Sequence, residues 1–114
     1  MLNSKTLRKV TWMTSQQLNA RLKSTFDTSW MTWENHGKHE AGAAPHTKWQ
    51  IGHIIPCSAY DHSNDGDLKR CFALENLMAQ DARENLLLGT KLPSVSVLLE
   101  LRHLWPAAWG GVLP

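Results

Sequence analysis

The stretch "WQIGHIIPCSAYD", residues 49–61, carries the strongest single indication of the fold. Together with the lysine before it, the first part of this stretch reads "KWQIGHII" and has the composition of a β-strand. Pro56 stops this run from continuing as a paired central strand, because proline has no backbone N–H to donate. His53 is therefore predicted at the end of a strand, directly after Gly52.

The segments that follow predict a second strand and a helix. "ENLMAQ" is predicted as a short strand, and "DARENLLLG" as a helix with Asp81 at its N-cap and Gly89 at its C-terminal end. Between the strands, "DLKRCF" is predicted as a helical turn capped by Asp67 within a turn-rich loop. The predicted order is strand, long loop, strand, helix.

Two further helices are predicted outside this unit. "TSQQLNARLKSTF", residues 14–26, has apolar residues at helical spacing, and Thr14 with Gln17 forms a capping box. Residues 27–48 have no sustained period and are predicted as a loop anchored by Trp30 and Trp33.

The C-terminal segment, residues 92–114, has Glu100 and Arg102 as its charged residues. Residues 94–105 fit an amphipathic helix ended by Pro106. We expect its apolar side to belong to the core, and the alternative is a docking surface for a second subunit or a protein partner. That side consists of Val97, Leu98, Leu101, Leu104 and Trp105.

Composition limits the protein class. A chain of 114 residues is predicted to form one small domain. It contains no run of about 18 apolar residues and its N-terminus lacks a signal-peptide hydrophobic region, so we expect a cytoplasmic protein without a membrane partner. Cys57 and Cys71 form no C-x-x-C pair and are expected to be free, buried thiols.

Positive charge is concentrated near the N-terminus, because five basic residues precede the first acidic one, Asp27. Such a block is a candidate for contacts with DNA phosphates, and a solvated helix face is an equal alternative. The five residues are Lys5, Arg8, Lys9, Arg21 and Lys23.

Three polar residues combine into a candidate site: His53, Asn76 and Asn85. If the two strands pair and the helix packs across them, all three converge on one face. This set suits phosphodiester hydrolysis, because a neutral imidazole can take a proton from water at neutral pH. A divalent ion would neutralise charge on the leaving oxygen, and an asparagine oxygen suits Mg²⁺.

The sequence resembles the HNH family of ββα-metal endonucleases, in particular its phage and mobile-element branch. That branch typically reads W-x-I-D-H-I-x-P-x-S, then C-F-x-x-x-N-L-Q-P-L-W, then a segment ending in E-N-L. The matching text is "WQIGHIIPCSAYD" and "LKRCFALENLMAQDARENLLLGTKLP", with "MTWENHG" upstream. The similarity covers residues 10–93. It implies an α+β fold in one HNH-type domain, with a lead-in helix and loop at 10–48, a ββα-metal core at 49–91 and an apolar tail helix at 92–114.

The resemblance also implies roles. His53 corresponds to the general base, Asn76 to the structural asparagine and Asn85 to a metal ligand. The implied activity is hydrolysis of double-stranded DNA, by nicking or by double-strand cleavage, with a divalent metal ion as cofactor. Mg²⁺ is the expected ion, and Mn²⁺, Ni²⁺ and Zn²⁺ are alternatives. The apolar C-terminal helix permits a homodimer or a protein partner.

Two departures from the family pattern affect the site. The family's second metal ligand is the aspartate before the histidine, and here it is Gly52; the lysine usual after E-N-L is Leu87. Another group could replace the aspartate, the ion could be held mainly by phosphate and water, or the fold could serve as a non-cleaving module that binds DNA or protein. The candidate replacements are Asp61, His62, Asp65 and His46.

Overall fold

The computed structural model describes residues 13–114 and contains four α-helices and two β-strands in that range. The strands pair into one antiparallel sheet. The predicted α+β class is therefore confirmed. The helices are α1 (Ser15–Ser24), α2 (Asp65–Cys71), α3 (Ala82–Leu88) and α4 (Val95–Glu100), and the strands are β1 (Trp49–His53) and β2 (Leu77–Asp81). Short 3₁₀ turns occupy Trp33–Asn35, Cys57–Ala59, Leu74–Asn76, Arg102–Leu104 and Ala107–Trp109.

The described chain divides into two units. The first contains the described residues up to Gly52 together with Met78–Gly89, and the second contains His53–Leu77 and Thr90–Pro114. Within residues 13–114, none of the helices combines the length and apolar character that a membrane crossing requires.

The first unit is built around α1 and the buried face of the sheet. The capping box that the sequence predicts is present, because the Thr14 hydroxyl accepts from the Gln17 N–H at 3.0 Å and the Gln17 side chain accepts from the Thr14 N–H at 2.9 Å. Leu18 and Leu22 are buried on one side of the helix. Trp49 of β1 is also fully buried.

Aromatic rings surround Trp49. Phe26, Trp33 and His36 contact its indole, with ring centroids 5.0, 5.8 and 4.5 Å away. The indole N–H donates to the Thr32 carbonyl at 2.6 Å, so the polar edge of this buried ring is satisfied. The loop at 27–48 is therefore anchored by Trp33, as the sequence predicts.

The sheet presents a second, more polar face in the same unit. The Ala82 N–H donates to the Lys48 carbonyl at 2.8 Å and continues the antiparallel ladder beyond the strands. Since side chains alternate along each strand, this pairing puts Gln50, Gly52 and Gln80 on one face. Helix α3 begins directly after β2, with the predicted caps at Asp81 and Gly89.

The second unit has its own apolar core. Ile55, Tyr60 and Cys71 pack in one cluster with buried residues of the C-terminal segment, namely Leu98, Leu101, Leu104 and Trp105. The expectation that the apolar side of this segment forms core is thus confirmed for these four residues. The Tyr60 hydroxyl donates to the Leu104 carbonyl at 2.7 Å and ties the segment to the rest of the unit.

The C-terminal helix is shorter than predicted. Helix α4 ends at Glu100, and a 3₁₀ turn follows in place of the continuous helix over residues 94–105. Two causes are local: the Trp105 indole N–H donates to the Leu98 carbonyl at 2.7 Å, and Pro106 disfavours helical backbone at the residue before it.

The cap of α2 also differs from the prediction. Asn64, and not Asp67, is the N-cap, and its side chain accepts from the Asp67 N–H at 2.9 Å. Asp67 is buried inside the first turn, where its carboxylate accepts from the N–H groups of Asp61 at 2.8 Å and Ala107 at 3.0 Å. Asp67, which was predicted as the cap, therefore connects two loops through its carboxylate.

Candidate functional site

Asn76 fixes the backbone that follows the candidate base. It is completely buried, and its Oδ1 accepts from the Ile55 N–H at 2.8 Å. Its Nδ2 donates to the Ile55 carbonyl at 3.1 Å and to the Cys71 carbonyl at 2.9 Å. This single side chain thus joins the segment two residues beyond His53 to the end of α2.

His53 is half-buried at the last position of β1. The edge of its ring meets Phe72, with centroids 4.9 Å apart and planes at 84°. Its Nε2 is buried and has no hydrogen-bond partner among residues 13–114. Buried polar atoms are nearly always paired in proteins, so this nitrogen is an exception that calls for a ligand or a partner.

Two cysteines complete a group around this imidazole. One ligand atom each from His53, Cys57 and Cys71 lie within 4.8 Å of one another. We call these three residues the thiol–imidazole cluster. Both cysteines are free, as predicted, with Cys71 buried and Cys57 half-buried. Imidazole nitrogen and thiolate sulfur are the ligands that zinc-class ions prefer, so the cluster has the donor set of a metal site.

The two thiols interact directly, with the Cys71 sulfur 3.4 Å from the Cys57 sulfur. The Cys71 thiol donates to Cys57, and this hydrogen bond, with a further one between Cys57 and His53, lowers the pKa of the Cys57 thiol. The same hydrogen bond, together with burial, raises the pKa of the Cys71 thiol. Sequence reasoning missed this pair, because it looked for C-x-x-C spacing. The available signal was Cys57 four residues after His53, beyond a proline that forces a turn.

The space that a side chain at position 52 would enter, where the HNH pattern has aspartate, is occupied by Gln80. A Cβ built on Gly52 would lie 2.9 Å from the Cβ of Gln80 and would overlap the Gln80 Oε1. Gly52 is itself buried. The Gln80 side chain therefore fills the space that a residue with a side chain at position 52 would need.

Asn85 lies in α3 and contacts the same face of the sheet. Its Nδ2 donates to the Gln50 Oε1 at 3.2 Å. Gln50, Gly52, Gln80 and Asn85 form what we call the amide face, since its polar groups are neutral amides. Mg²⁺ in proteins is usually held by one or two carboxylates and by substrate phosphates. The amide face offers oxygen ligands without charge, so it fits Mg²⁺ poorly on its own.

Three of the candidate replacement ligands lie in the loop before α2 or in the first turn of that helix. Asp61 accepts from the N–H and the hydroxyl of Ser63, at 3.0 and 2.6 Å, which makes it a turn residue. The His62 Nε2 lies 2.9 Å from the Cys57 carbonyl oxygen. Asp65 is exposed in the first turn of α2, where a negative charge favours the helix N-terminus. Each of them has a local structural role.

The fourth candidate, His46, lies in the first unit, in the loop before β1. Its backbone N–H donates to the Asp81 Oδ2 at 2.8 Å, and its ring stacks on Trp30 with centroids 5.1 Å apart. Its Nε2 lies 3.7 Å from the same carboxylate oxygen. His46 and Asp81 therefore form a pair that fastens the loop before β1 to the start of α3.

The predicted DNA-contacting residues are described only in part. Lys5, Arg8 and Lys9 lie outside the described residues. Arg21 and Lys23 lie in the last turn of α1, where positive charge interacts favourably with the helix dipole. Lys23 is exposed and Arg21 is half-buried. DNA contact by these residues stays a prediction.

The apolar side that was predicted as core or as a partner surface lies mostly in the core. Its buried members are Leu98, Leu101, Leu104 and Trp105. Val95 and Leu99, which lie outside that predicted side, are exposed, with 59% and 53% of their surface accessible. Assembly through this helix stays a prediction. On α3, Leu87, at the position where the HNH pattern has lysine, is 66% exposed.

Comparison with known proteins gives a limited result. No protein-family model and no solved structure matches the chain. The chain is 31% identical over 62 residues to an uncharacterized protein of Acanthamoeba polyphaga mimivirus. The aligned part is 54% of this chain and 23% of the viral protein, so the chain spans about a quarter of that relative.

Proposed function

We propose that this protein is an HNH-type endonuclease that hydrolyses DNA phosphodiester bonds. The observation that carries the proposal is the buried Asn76 side chain, whose three hydrogen bonds fix the turn after His53. A general base must be held by a rigid backbone to be effective, and Asn76 supplies that rigidity. This is the task that the resemblance assigns to the motif's asparagine.

In the proposed reaction, His53 accepts a proton from the attacking water. Its Nε2 is an atom that could take this proton, because no group in the described part of the chain hydrogen-bonds to it. The residue that the resemblance assigns to metal binding is Asn85. A bound divalent ion would stabilise negative charge on the phosphate and the leaving oxygen. Because the amide face supplies no charge, we derive no step through that ion.

A second function is favoured by a different observation, the glycine at position 52 and its contact with Gln80. Glycine supplies no charged ligand, and the Gln80 side chain fills the space beside it, so an aspartate there would require Gln80 to shift. This arrangement suits a protein that has kept the fold without the reaction. In this alternative the chain binds DNA or another protein and does not cleave.

The test is cleavage of supercoiled plasmid by purified protein across Mg²⁺, Mn²⁺, Ni²⁺ and Zn²⁺. The variant is His53→Ala, and the matched control is His103→Ala, which removes an exposed imidazole from the same unit. The nuclease proposal expects relaxed or linear DNA that requires both the metal and His53, with His103→Ala cleaving as the parent protein does.

The two functions give different results in that test. Cleavage that persists in His53→Ala at the parent rate would show that His53 is not the base. No cleavage with any ion, together with retained DNA binding in a gel-shift assay, would support the non-cleaving alternative. No cleavage and no DNA binding would overturn the DNA-directed proposals.

A further inference from the structure

The thiol–imidazole cluster is a metal-type donor group that the HNH resemblance does not include. Its three residues come from the end of β1, the 3₁₀ turn Cys57–Ala59 and the last residue of α2. Their ligand atoms nevertheless lie within 4.8 Å of one another. His53 and Cys57 are four residues apart in the sequence, and the fold brings Cys71 to them from a separate element.

The same hydrogen bonds that hold the candidate base also bring the donors together. Asn76 binds the carbonyl of Cys71 and both backbone groups of Ile55, two residues before Cys57. Asn76 and Cys71 are completely buried. The donors are therefore held by a rigid buried frame, which reduces the entropy lost when an ion binds.

The donors have spare binding capacity. Within residues 13–114 the His53 Nε2 is buried without a hydrogen-bond partner, and the two sulfurs share one weak thiol hydrogen bond. A buried nitrogen without a hydrogen bond is unfavourable, because it has lost its contact with water and gained nothing in return. Coordination to a metal ion would satisfy the imidazole and replace the weak contact between the sulfurs.

We propose that His53, Cys57 and Cys71 bind a soft divalent ion of the zinc class. Two sulfurs and one imidazole nitrogen are the ligand types that select such ions over Mg²⁺. On binding, each cysteine forms a sulfur–metal bond as its thiolate, so any proton still on the two thiols is released to solvent. Zinc with three protein ligands keeps a fourth position for water or an external ligand.

Occupancy of this site has a consequence that rests on the proposed nuclease function. An imidazole nitrogen bound to a metal cannot accept a proton, and the ion would reduce the freedom of the ring. Zinc-class ions at the cluster therefore oppose the base role of His53, whereas Mg²⁺ does not. A zinc-class ion would inhibit Mg²⁺-dependent cleavage.

The experiment titrates the reduced protein with Co²⁺ and records the near-ultraviolet absorption that arises only when a thiolate binds cobalt. We expect saturation at one Co²⁺ per chain and loss of the band when one equivalent of Zn²⁺ is added. Removing even a group that hydrogen-bonds to a ligand costs about 10- to 100-fold in metal affinity, so Cys57→Ser should cost at least on the order of 100-fold.

The control is His62→Ala, which removes the exposed imidazole that contacts the Cys57 carbonyl without belonging to the cluster. It should bind Co²⁺ as the parent protein does. Cys57 is only half-buried, so Cys57→Ser is preferred to a change at the buried Cys71. Circular dichroism of each variant without metal shows whether the fold is kept.

The parent protein alone can overturn the proposal. No thiolate-to-cobalt band with the folded, reduced parent would exclude the site, whatever the variants do. A band that Cys57→Ser leaves unchanged would also exclude it. Zinc binding without cleavage under any condition would support the metal site and reject the nuclease. Mg²⁺-dependent cleavage without a cobalt band would support the nuclease and reject the metal site.

Discussion

The amide face and the thiol–imidazole cluster differ in what they offer a metal ion. The amide face lies where the family pattern predicts a metal, yet its polar groups are neutral and Gln80 fills the space beside Gly52. The cluster lies outside that pattern and brings an imidazole and two thiols within 4.8 Å. The group with the better metal ligands is therefore the cluster, and the group at the position that the family pattern predicts is the amide face.

A catalytic motif identifies the residues that can act in a reaction. Which metal ion binds depends also on the donor groups that surround those residues. His53 stands where the HNH pattern has its histidine, and Cys57 and Cys71 of its own unit offer donor atoms within 4.8 Å. The ion that this protein prefers is therefore expected to depend on sulfur as much as on the motif's oxygen ligands.

The largest effect is expected for Asn76→Ala, which tests the frame on which the cluster depends. The change leaves three buried backbone groups unpaired, at about 1–3 kcal/mol each, so the free energy of unfolding should fall by at least about 3 kcal/mol. Asn64→Ala, which removes the N-cap of α2, should cost about 1 kcal/mol. Urea unfolding measures both. Equal losses of unfolding free energy in the two variants would mean that Asn76 contributes no more than a helix cap and does not organise the site.

A second, pH-dependent effect is expected for Asp67→Asn. Burial raises the pKa of the Asp67 carboxyl, but the N–H groups of Ala107 and Asp61 and the guanidinium of Arg70 outweigh burial and hold the pKa below its ordinary value. A lowered pKa in the folded state gives stability that is present above the unfolded pKa and is lost as the pH falls. The parent protein should therefore lose stability below about pH 4.

Asp67→Asn should be less stable than the parent by about 1.5–3 kcal/mol at neutral pH, because it loses hydrogen bonds to a charged acceptor. The difference from the parent should shrink as the pH falls below about 4. Thermal unfolding across pH 3 to 7 gives both results, with the exposed Asp65→Asn on the same helix as control. A constant difference at every pH would show that the Asp67 charge does not contribute.

The third prediction changes the amide face into the family's form. Gly52→Asp alone should lower stability by about 1–3 kcal/mol, since the new Cβ meets the Gln80 side chain. It should not raise Mg²⁺-dependent cleavage. Gly52→Asp combined with Gln80→Ala should regain stability and should show a melting temperature that rises with Mg²⁺, because a ligand that binds only the folded state stabilises it.

Gln80→Ala alone is the control for the double variant. If it also gains Mg²⁺-dependent stability, the added carboxylate is not the cause. If the double variant binds Mg²⁺ and still does not cleave, the missing ligand explains the metal preference but not the absence of the reaction. If Gly52→Asp alone is as stable as the parent, the Gln80 side chain moves aside freely and does not exclude the aspartate.

Local signals made part of this structure predictable. The capping box of α1 and the caps of α3 depend on residues three to eight apart, and both were correctly placed from sequence. The position of His53 at a strand end followed from Pro56. These features need no knowledge of which segments meet in space.

Two features that sequence reasoning missed depend on contacts between distant residues. The clash at Gly52 requires the pairing of two strands, and the cluster requires Asn76 to draw the end of α2 to the turn after β1. The pattern of one segment cannot encode such contacts. The early end of α4 and the Asn64 cap of α2 depend instead on contacts within one segment, where several residues competed for the same role.

The smallest effect is expected for Leu87→Lys, which restores the family's lysine on the exposed surface of α3. An exposed substitution should change the free energy of unfolding by less than about 0.5 kcal/mol. If α3 approaches DNA, the new charge should raise affinity at low salt and steepen the dependence of affinity on salt by about one ion. Leu86→Lys, 69% exposed and about 100° around the helix, adds the same charge at a different angle. A gain confined to Leu87→Lys in a gel-shift series would place the DNA backbone on that side of α3, and equal gains would mean that net charge alone attracts DNA.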